Sequence, residues 1–215
     1  MTHSYSANPK FLLAVDCIIF GFDNEDLKIL LIKRGFEPEK GSWSLMGGFL
    51  GERETLQEAA ERVLHLLTGL KRVFLQQIRA FSDPERDTAE RTISIPFYAL
   101  IDIAKHNEEL SKHYSARWFS LNEIPTLIFD HQEIVNEAIL HLRNRVMVEP
   151  IGFELLPKKF TMLQLQKLYE AILGHPLDKR NFIKKINQMN ILDKLPEKDM
   201  TSSKKGSYLF EYSSK

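Results

Sequence analysis

The stretch Gly47 to Leu70, GGFLGERETLQEAAERVLHLLTGL, decides how the rest of the chain is read. Two glycines open it as a turn. Thr55-Leu56-Gln57-Glu58 then fits a capping box: the Thr55 hydroxyl accepts from the Glu58 amide while the Glu58 carboxylate reaches back to the Thr55 amide. The helix should continue to about Thr68, with Gly69 placed to end it in a left-handed conformation. Carboxylates at i, i+3 and i+4 share one helical face and can surround a hard cation such as Mg²⁺. That triplet is here Val63, Leu66 and Leu67. With Leu56, Ala59 and Leu70 it predicts a continuous apolar stripe packed on the core or on a second subunit. The acids that remain have local uses: Glu58 in the capping box, Glu61 on a solvated face, Glu54 as a partner for Arg62.

Working outward, Phe11 to Phe20 and Leu27 to Arg34 are rich in Ile, Leu and Val and flank the turn-like Gly21-Phe22-Asp23-Asn24-Glu25-Asp26. They read as a hairpin with a longer loop. A polar loop, Gly35 to Gly41, leads into a short strand before Gly47. Arg72 to Ser82 and Arg91 to Ile101 are two further strand-like runs around the charged loop Asp83-Pro84-Glu85-Arg86-Asp87. Pro96 inside the second run predicts an edge position or a bulge, because proline cannot donate to a ladder. Trp118 to Ser120 is a short strand. His131 to Val146 is a helix with Ile134, Ile139, Leu142 and Val146 on one stripe. Strands and helices interleaved in this way predict a mixed sheet covered by helices.

The composition shifts near Met147 to Pro150, which predicts two domains, residues 1–147 and 148–215. In the second, Thr161 to Leu173 is a helix with Leu165, Leu168, Tyr169 and Ile172 spaced for burial. Gly174-His175-Pro176 breaks it, and Asp178 caps a second helix, Lys179 to Asn190, with Phe182, Ile183, Ile186 and Met189 at helical spacing. A helix, a short Gly-containing turn and a basic helix form the helix-turn-helix pattern. Leu192 to Leu195 and Ser207 to Tyr212 are β-forming ends around the polar tip Glu197 to Gly206, as a β-wing requires.

Composition sets outer limits. The chain has 215 residues, 43% hydrophobic and 27% charged, enough to bury a real core. Its single cysteine, Cys17, sits in the apolar run LLAVDCIIF, reads as a buried thiol, and excludes an internal disulfide. No run approaches the ~20 apolar residues of a membrane span, and MTHSYSANPK is too polar for a secretory signal. The expected place is the cytoplasm. Net charge is zero, yet residues 1–150 hold 17 Lys and Arg against 22 Asp and Glu, while residues 151–215 hold 12 against 7. A basic C-terminal third suits an anionic partner, nucleic acid being the commonest.

The register of Gly48, Glu54, Arg62, Leu64, Gly69 and Leu70 follows the box G-x5-E-x7-R-E-U-x-E-E-x-G-U, where U is bulky and apolar. Residues 10–146 therefore resemble a Nudix domain, as do LLIKRG at Leu30 to Gly35 and GSWSLMGGF at Gly41 to Phe49, with Met46 where such enzymes usually carry Pro. FELLPKKFTMLQLQKLYEAILGHPLDKRNFIKKI, Phe153 to Ile186, resembles the winged helix-turn-helix of Nudix-related transcriptional regulators, the NAD-metabolism and arabinose-utilisation type. SDPERDTAERTISIPFYAL and the IFDH ending at His131 are similar to the same family. The recognition helix departs from it, reading NFIKKI where an Arg pair is common. The resemblance implies an α+β fold: a Nudix-like mixed-sheet α/β/α sandwich that senses a small molecule, followed by a winged helix-turn-helix that holds operator DNA.

On this reading the chain is a ligand-responsive transcriptional regulator, read as a repressor, with a catalytically inactive box, no cofactor and no metal site. Family effectors include ADP-ribose and pentoses. The missing acids, with only Lys33 and Arg34 nearby as cations, tilt the expectation toward a neutral sugar such as L-arabinose, and so toward carbohydrate metabolism. The effector residues expected at the mouth beside the box are Arg34, Phe36, Trp43 and Met46, joined by Asp83, Arg86 and Arg91. Trp43 serves equally as a sugar platform or a core aromatic, Asp83 and Arg91 as a structural ion pair, and His131 as a structural histidine at a helix start. For DNA, Lys179, Arg180 and Asn181 stand at the recognition helix N-terminus, with Lys184 and Lys185 a turn on. Lys204 and Lys205 at the wing tip and Lys158 and Lys159 before the first helix are placed for phosphates. One helix and one wing cover a half-site, so a homodimer is expected. Two alternatives stand beside this reading: a Mg²⁺-dependent hydrolase of a nucleoside diphosphate derivative, and an interaction module that does not bind DNA.

Overall fold

The computed structural model describes residues 8–23, 25–70, 73–103, 116–146, 148–200 and 205–213. Its axis is β1 (Leu12–Asp23), which pairs antiparallel with β2 (Asp26–Lys33). The register runs from Ile19↔Leu30 to Asp23↔Asp26, so the strands continue through residues that the hydropathy pattern leaves in the loop. Gly21 shows why the pattern stops there. A Cβ at that position would lie 2.4 Å from Ile103 Cγ1 and 2.7 Å from the Trp118 ring, so the strand passes its neighbours only as bare backbone.

Two short strands follow, β3 (Trp43–Ser44) on β2 and β4 (Met46–Phe49) on β1, and then α1 (Leu56–Thr68). Its Thr55/Glu58 capping box is formed, and Gly69 ends it at φ 76°. Of the described residues in the next strand-like run, only Leu75–Gln77 becomes strand, β5, with Phe81 adding a bridge to Ser94; Arg72, the start of the expected run, lies outside the described residues. β6 (Thr92–Asp102) lies parallel to β1 over its whole length, from Leu12↔Thr92 to Phe22↔Asp102, and antiparallel to β5. Pro96 is therefore in an inner strand rather than at an edge. Its missing N–H is harmless because it falls between the Gln77↔Phe97 pair and the Phe81↔Ser94 bridge, where the neighbouring chain leaves the ladder and only Ile78 N–H bonds the Pro96 carbonyl. β7 (Arg117–Ser120) pairs with β2, and α2 (His131–Val146) completes the unit with the predicted bounds.

Strand alternation in β1 divides the core in two. Val15, Cys17 and Ile19 face one cluster with Ala59, Ala60, Val63 and Leu64 of α1. Ile18 and Phe20 face the other with Ile134, Val135, Ala138 and Leu142 of α2. Helix, sheet and helix form an α/β/α sandwich. The stripe expected on α1 is narrower than predicted: Val63, Ala59 and Leu70 are buried, Leu56 and Leu67 are half-buried, and Leu66 is 59% exposed. The helix rests on the sheet through adjacent positions 59/60 and 63/64, and that rotates position 66 outward.

The C-terminal part contains one turn of 3₁₀-helix (Phe153–Leu155), β8 (Phe160–Thr161), α3 (Met162–Leu173), α4 (Lys179–Met189), β9 (Leu192–Asp199) and β10 (Ser207–Tyr212). The small sheet has the order β8-β10-β9, and β9 runs four residues further than its apolar signal. Thr161 and Gln164 form a second capping box, Gly174 ends α3 at φ 77°, and Asp178 caps α4 by accepting from the Asn181 amide. The turn between the helices is held by Glu170, which accepts from the Leu177 amide, and by Gln166, which donates to the Leu177 carbonyl.

Between the two parts the apolar core is continuous. Ile29, Val135 and Leu142 belong to the same buried cluster as Leu165, Leu168, Ile172 and Phe182. Arg143 Nε of α2 donates to the Ile172 carbonyl at 2.8 Å, and Lys167 of α3 pairs with Glu25 in the β1–β2 turn. Among the described residues no helix is long and apolar enough to cross a membrane.

Candidate functional site

Beside the box, the loop after β2, the β4 glycines, the residue 86–87 loop and the entry to α2 enclose a cavity of about 430 Å³, within the range of small-molecule sites. Its floor is ionic and buried. Arg86, with a side chain only 3% exposed, grips Asp130 through two hydrogen bonds, Nε to Oδ2 at 2.8 Å and Nη2 to Oδ1 at 2.7 Å. The same Nη2 lies 3.8 Å from Asp16 Oδ2, which also accepts from Ser94 Oγ at 2.5 Å. His131 Nδ1 accepts from the Leu45 amide at 3.1 Å, and its Nε2 faces Asp16 Oδ1 at 3.8 Å. Accepting at Nδ1 sets the tautomer, leaving the Nε2 proton toward Asp16. Burial pushes His131 below the ordinary imidazole range, outweighing the neighbouring Asp16 and Asp130, which act in the opposite direction. Gly47 is needed for this approach, since a Cβ there would come within 2.4 Å of Asp16 Oδ1.

The walls and rim are aromatic and cationic. Lys33, Arg34, Phe36, Phe49, Leu67 and Phe129 all line the cavity. The Arg34 guanidinium lies 4.0 Å from the Phe36 ring centroid and 5.3 Å from that of Phe129. Phe129 is held at φ 49°, a left-handed conformation unusual for a bulky residue; it precedes Asp130 and His131 at the mouth of α2.

Of the seven expected effector residues the cavity collects three, Arg34, Phe36 and Arg86. The other four stand elsewhere. Met46 is fully buried under α1, because a strand residue between the sheet and the helix is claimed by the core. Trp43 packs edge-on against Phe119 beneath the Lys33 ammonium and lines a separate cleft with Ser42 and Leu127. Asp83 caps its own loop by accepting from the Glu85 amide, and Arg91 donates to the Ser82 and Asp83 carbonyls. Asp16, Ser94 and Asp130 were not foreseen as site residues. Asp16, inside an apolar strand, was the available signal, since a buried carboxylate demands partners.

In the box itself, Arg62 donates to both Glu54 oxygens, Nε at 2.9 Å and Nη2 at 2.6 Å, and Nη2 also reaches the Phe49 carbonyl. Together with the Gly51 amide, Arg62 holds the Glu54 carboxyl down at about 2. This clamp ties the end of β4 and the loop at Gly51 to α1; the glycine pair expected to open the box as a turn, Gly47 and Gly48, lies instead in strand β4, paired with β1. The hydrocarbon side chains of Val63, Leu66 and Leu67 supply no oxygen to a metal, and among the described residues no three His, Cys, Asp or Glu side chains are grouped to hold one.

At the other end of the molecule, Lys179, Arg180, Asn181, Lys184 and Lys185 are all exposed on α4, while Phe182 and Ile186 are buried beneath them. Lys158 and Lys205 are exposed, and Lys159 is engaged by Glu197 of β9 through both carboxylate oxygens at 2.8 and 2.7 Å. Lys204 lies outside the described residues.

A Nudix-type α/β/α sandwich that carries a C-terminal winged helix-turn-helix defines the class of protein. Residues 10–139 match the NUDIX domain, and residues 152–212 match the NrtR DNA-binding winged helix domain. The chain belongs to the NrtR family of Nudix-related regulators. It is 31% identical over 189 residues to the ADPR responsive transcriptional repressor NtrR of Acinetobacter baylyi, covering 86% of this chain and 76% of that one. A crystal structure of Shewanella oneidensis NrtR superposes with a TM-score of 0.83 at 25% identity over 94% of both chains. The first domain is also 37% identical over 129 residues to an ADP-ribose pyrophosphatase of Methanocaldococcus jannaschii, covering 58% of this chain and 71% of that one.

Proposed function

We propose that the chain is a cytoplasmic, ADP-ribose-responsive repressor without hydrolase activity, which binds operator DNA as a homodimer through α4. The observation that carries the effector assignment is the composition of the cavity: a cationic, aromatic rim over a buried ionic floor. Lys33 and Arg34 are suited to a diphosphate, and Phe36 and Phe129 to a flat base. A free pentose is neutral and would leave the cations Lys33 and Arg34 without an anionic partner. The Acinetobacter relative responds to ADPR, which supports the same choice. L-arabinose, the neutral sugar that the sequence favours, has no support in the cavity or the relatives. The missing acids of α1 are a local signal, whereas the rim around Arg34, Phe36 and Phe129 is assembled from loops far apart in the chain.

The box argues against hydrolysis. Breaking a diphosphate in enzymes of this fold relies on a hard cation held by carboxylates, and the α1 face offers Val63, Leu66 and Leu67. The surviving acid, Glu54, is spent on Arg62. The likeness to the archaeal pyrophosphatase keeps the enzyme reading as the second hypothesis.

Sensing needs a link from cavity to DNA, and α2 is suited to that role. Asp130 at its entry and His131 in its first turn stand at the cavity, and its last turn carries Arg143, which bonds the Ile172 carbonyl of α3 just ahead of the turn into α4. A ligand that binds one setting of α2 more tightly than another shifts the DNA-competent population by that difference in affinity.

The test is a thermal-shift screen of the full chain with ADP-ribose, L-arabinose and AMP. We expect a concentration-dependent rise with ADP-ribose alone, following RT ln(1 + [L]/Kd). A rise with L-arabinose and none with ADP-ribose would overturn the effector assignment. Turnover of ADP-ribose with Mg²⁺ or Mn²⁺ that is lost in Glu54→Gln would overturn the non-enzymatic reading.

A further inference from the structure

The sequence pattern points to Lys158, Lys159, Lys204 and Lys205 as the phosphate-facing lysines outside α4. The structure draws attention to another group. On the wing, the Tyr208 ring of β10 is flanked by two ammonium groups of β9: Lys194 Nζ at 3.6 Å and Lys198 Nζ at 4.7 Å from its centroid. Both lysines are exposed, and Tyr208 is 43% exposed. Among the described residues neither lysine has an ion pair, whereas Lys159 is neutralised by Glu197 of the same wing.

We propose that Lys194, Lys198 and Tyr208 form a preorganised phosphate clamp for duplex DNA on the face of the wing shared with α4. The claim rests on the DNA-binding reading above and adds to it the part of the wing that meets the backbone.

Three observations carry it. The first is register. Lys198 lies opposite Tyr208 and Lys194 opposite Phe210, and paired residues of antiparallel strands share a face. Phe210 packs into the core cluster that also holds Phe182 and Ile186 of α4. The clamp therefore lies on the side of the small sheet that faces the helices, where one duplex can touch it and α4 together.

The second is electrostatics. Two like charges held against one ring lie within a Debye length of each other and repel. The ring face attracts each of them, but only an anion between or beside them removes their mutual repulsion. A DNA phosphate supplies that charge at a spacing set by the backbone.

The third is order. Lysine stems lose rotamer freedom on binding. The Tyr208 ring fixes part of both stems in advance, and the register shift between Tyr208 and Phe210 lets Lys194 reach across to the same ring as Lys198. A freely rotating pair would pay that entropy on contact.

The experiment measures full-length chain binding to a random-sequence 30-base-pair duplex across a salt series, with thermal midpoints as the folding control. Lys194→Ala with Lys198→Ala is expected to weaken binding about tenfold and to flatten the log K against log salt slope by about 1.8, the value for two phosphate contacts. Lys194→Arg with Lys198→Arg keeps the charges and the slope, and Tyr208→Phe keeps the ring and binds as wild type. If the double Ala variant retains wild-type affinity and slope while Lys184→Ala with Lys185→Ala weakens binding, the clamp is wrong and the DNA-binding reading stands. If neither pair matters, or the wild-type chain does not bind the duplex, both are overturned.

Discussion

The cavity floor and the recognition helix use similar charged side chains to opposite ends. At the floor, Arg86, Asp16 and His131 are buried and Asp130 is half-buried; Arg86 is hydrogen-bonded to Asp130, and Asp16 lies 3.8 Å from both Arg86 and His131. On α4, Lys179, Arg180 and Lys184 stand in solvent above an apolar underside of Phe182 and Ile186. Charge taken out of water must be matched internally, so it fixes shape. Charge left in water costs the fold little, so it is available to a polyanion. The two regions predict different consequences for the same kind of substitution.

The largest effect should come from Arg86→Ala, which leaves a buried Asp16 and a half-buried Asp130 without their cation. We expect a loss of about 3–5 kcal/mol by urea unfolding, with incomplete rescue by Arg86→Lys because a point charge cannot make the two-pronged bond to Asp130. A loss within scatter would mean that the floor is solvated, and the contrast would collapse. Arg180→Ala on α4 should behave oppositely: an unchanged unfolding midpoint, with operator affinity weaker by about 1–3 kcal/mol if the guanidinium reads a base. Arg143→Ala tests the connection between the regions. DNA binding and ADP-ribose binding should each persist while ADP-ribose no longer changes DNA affinity; normal coupling would remove α2 from the mechanism.

Smaller effects sharpen the comparison. His131 is held neutral by burial, so its folded-state pKa lies below its unfolded value of 6.5. The unfolded chain then binds the extra proton first, and stability is lost as pH falls below 6.5 toward the folded value. A His131→Gln variant should flatten that part of the stability profile, and an unchanged profile would locate the titration elsewhere. Glu54 is also depressed, from 4.5 to about 2, but at the surface; its contribution is complete above 4.5 and fades as pH falls toward 2. Least of all, Leu66→Gln should change stability by less than about 0.5 kcal/mol, because that side chain is already 59% exposed.

Much of the fold was legible because its signals are local. The Thr55/Glu58 cap, Gly69, the bounds of α2 and the Gly174–Asp178 break all depend on residues within a turn or two of one another. The extension of β1 through Gly21 and the inner position of Pro96 were not legible. Each depends on what the neighbouring chain does: Ile103 and Trp118 crowd Gly21, and the neighbour of Pro96 leaves the ladder. The site divides in the same way. Arg34, Phe36 and Arg86 could be named from their loops, whereas Met46 was lost to the core and Trp43 to a ring contact with Phe119.

By itself, then, the sequence determined the order of the two parts, the caps and stops of their helices, the hydrocarbon face of α1 where carboxylates would hold a metal, and the basic helix near the end. These follow from side-chain type at fixed spacing along one segment. Only the tertiary structure decided that Asp16, Ser94, Arg86, Asp130 and His131 meet at one floor, that Leu66 turns outward, and that Lys159 is tied to Glu197 while Lys194 and Lys198 share a ring. The reason is physical: burial and charge pairing depend on distances between segments far apart in the chain, and those distances are set by strand register and helix packing.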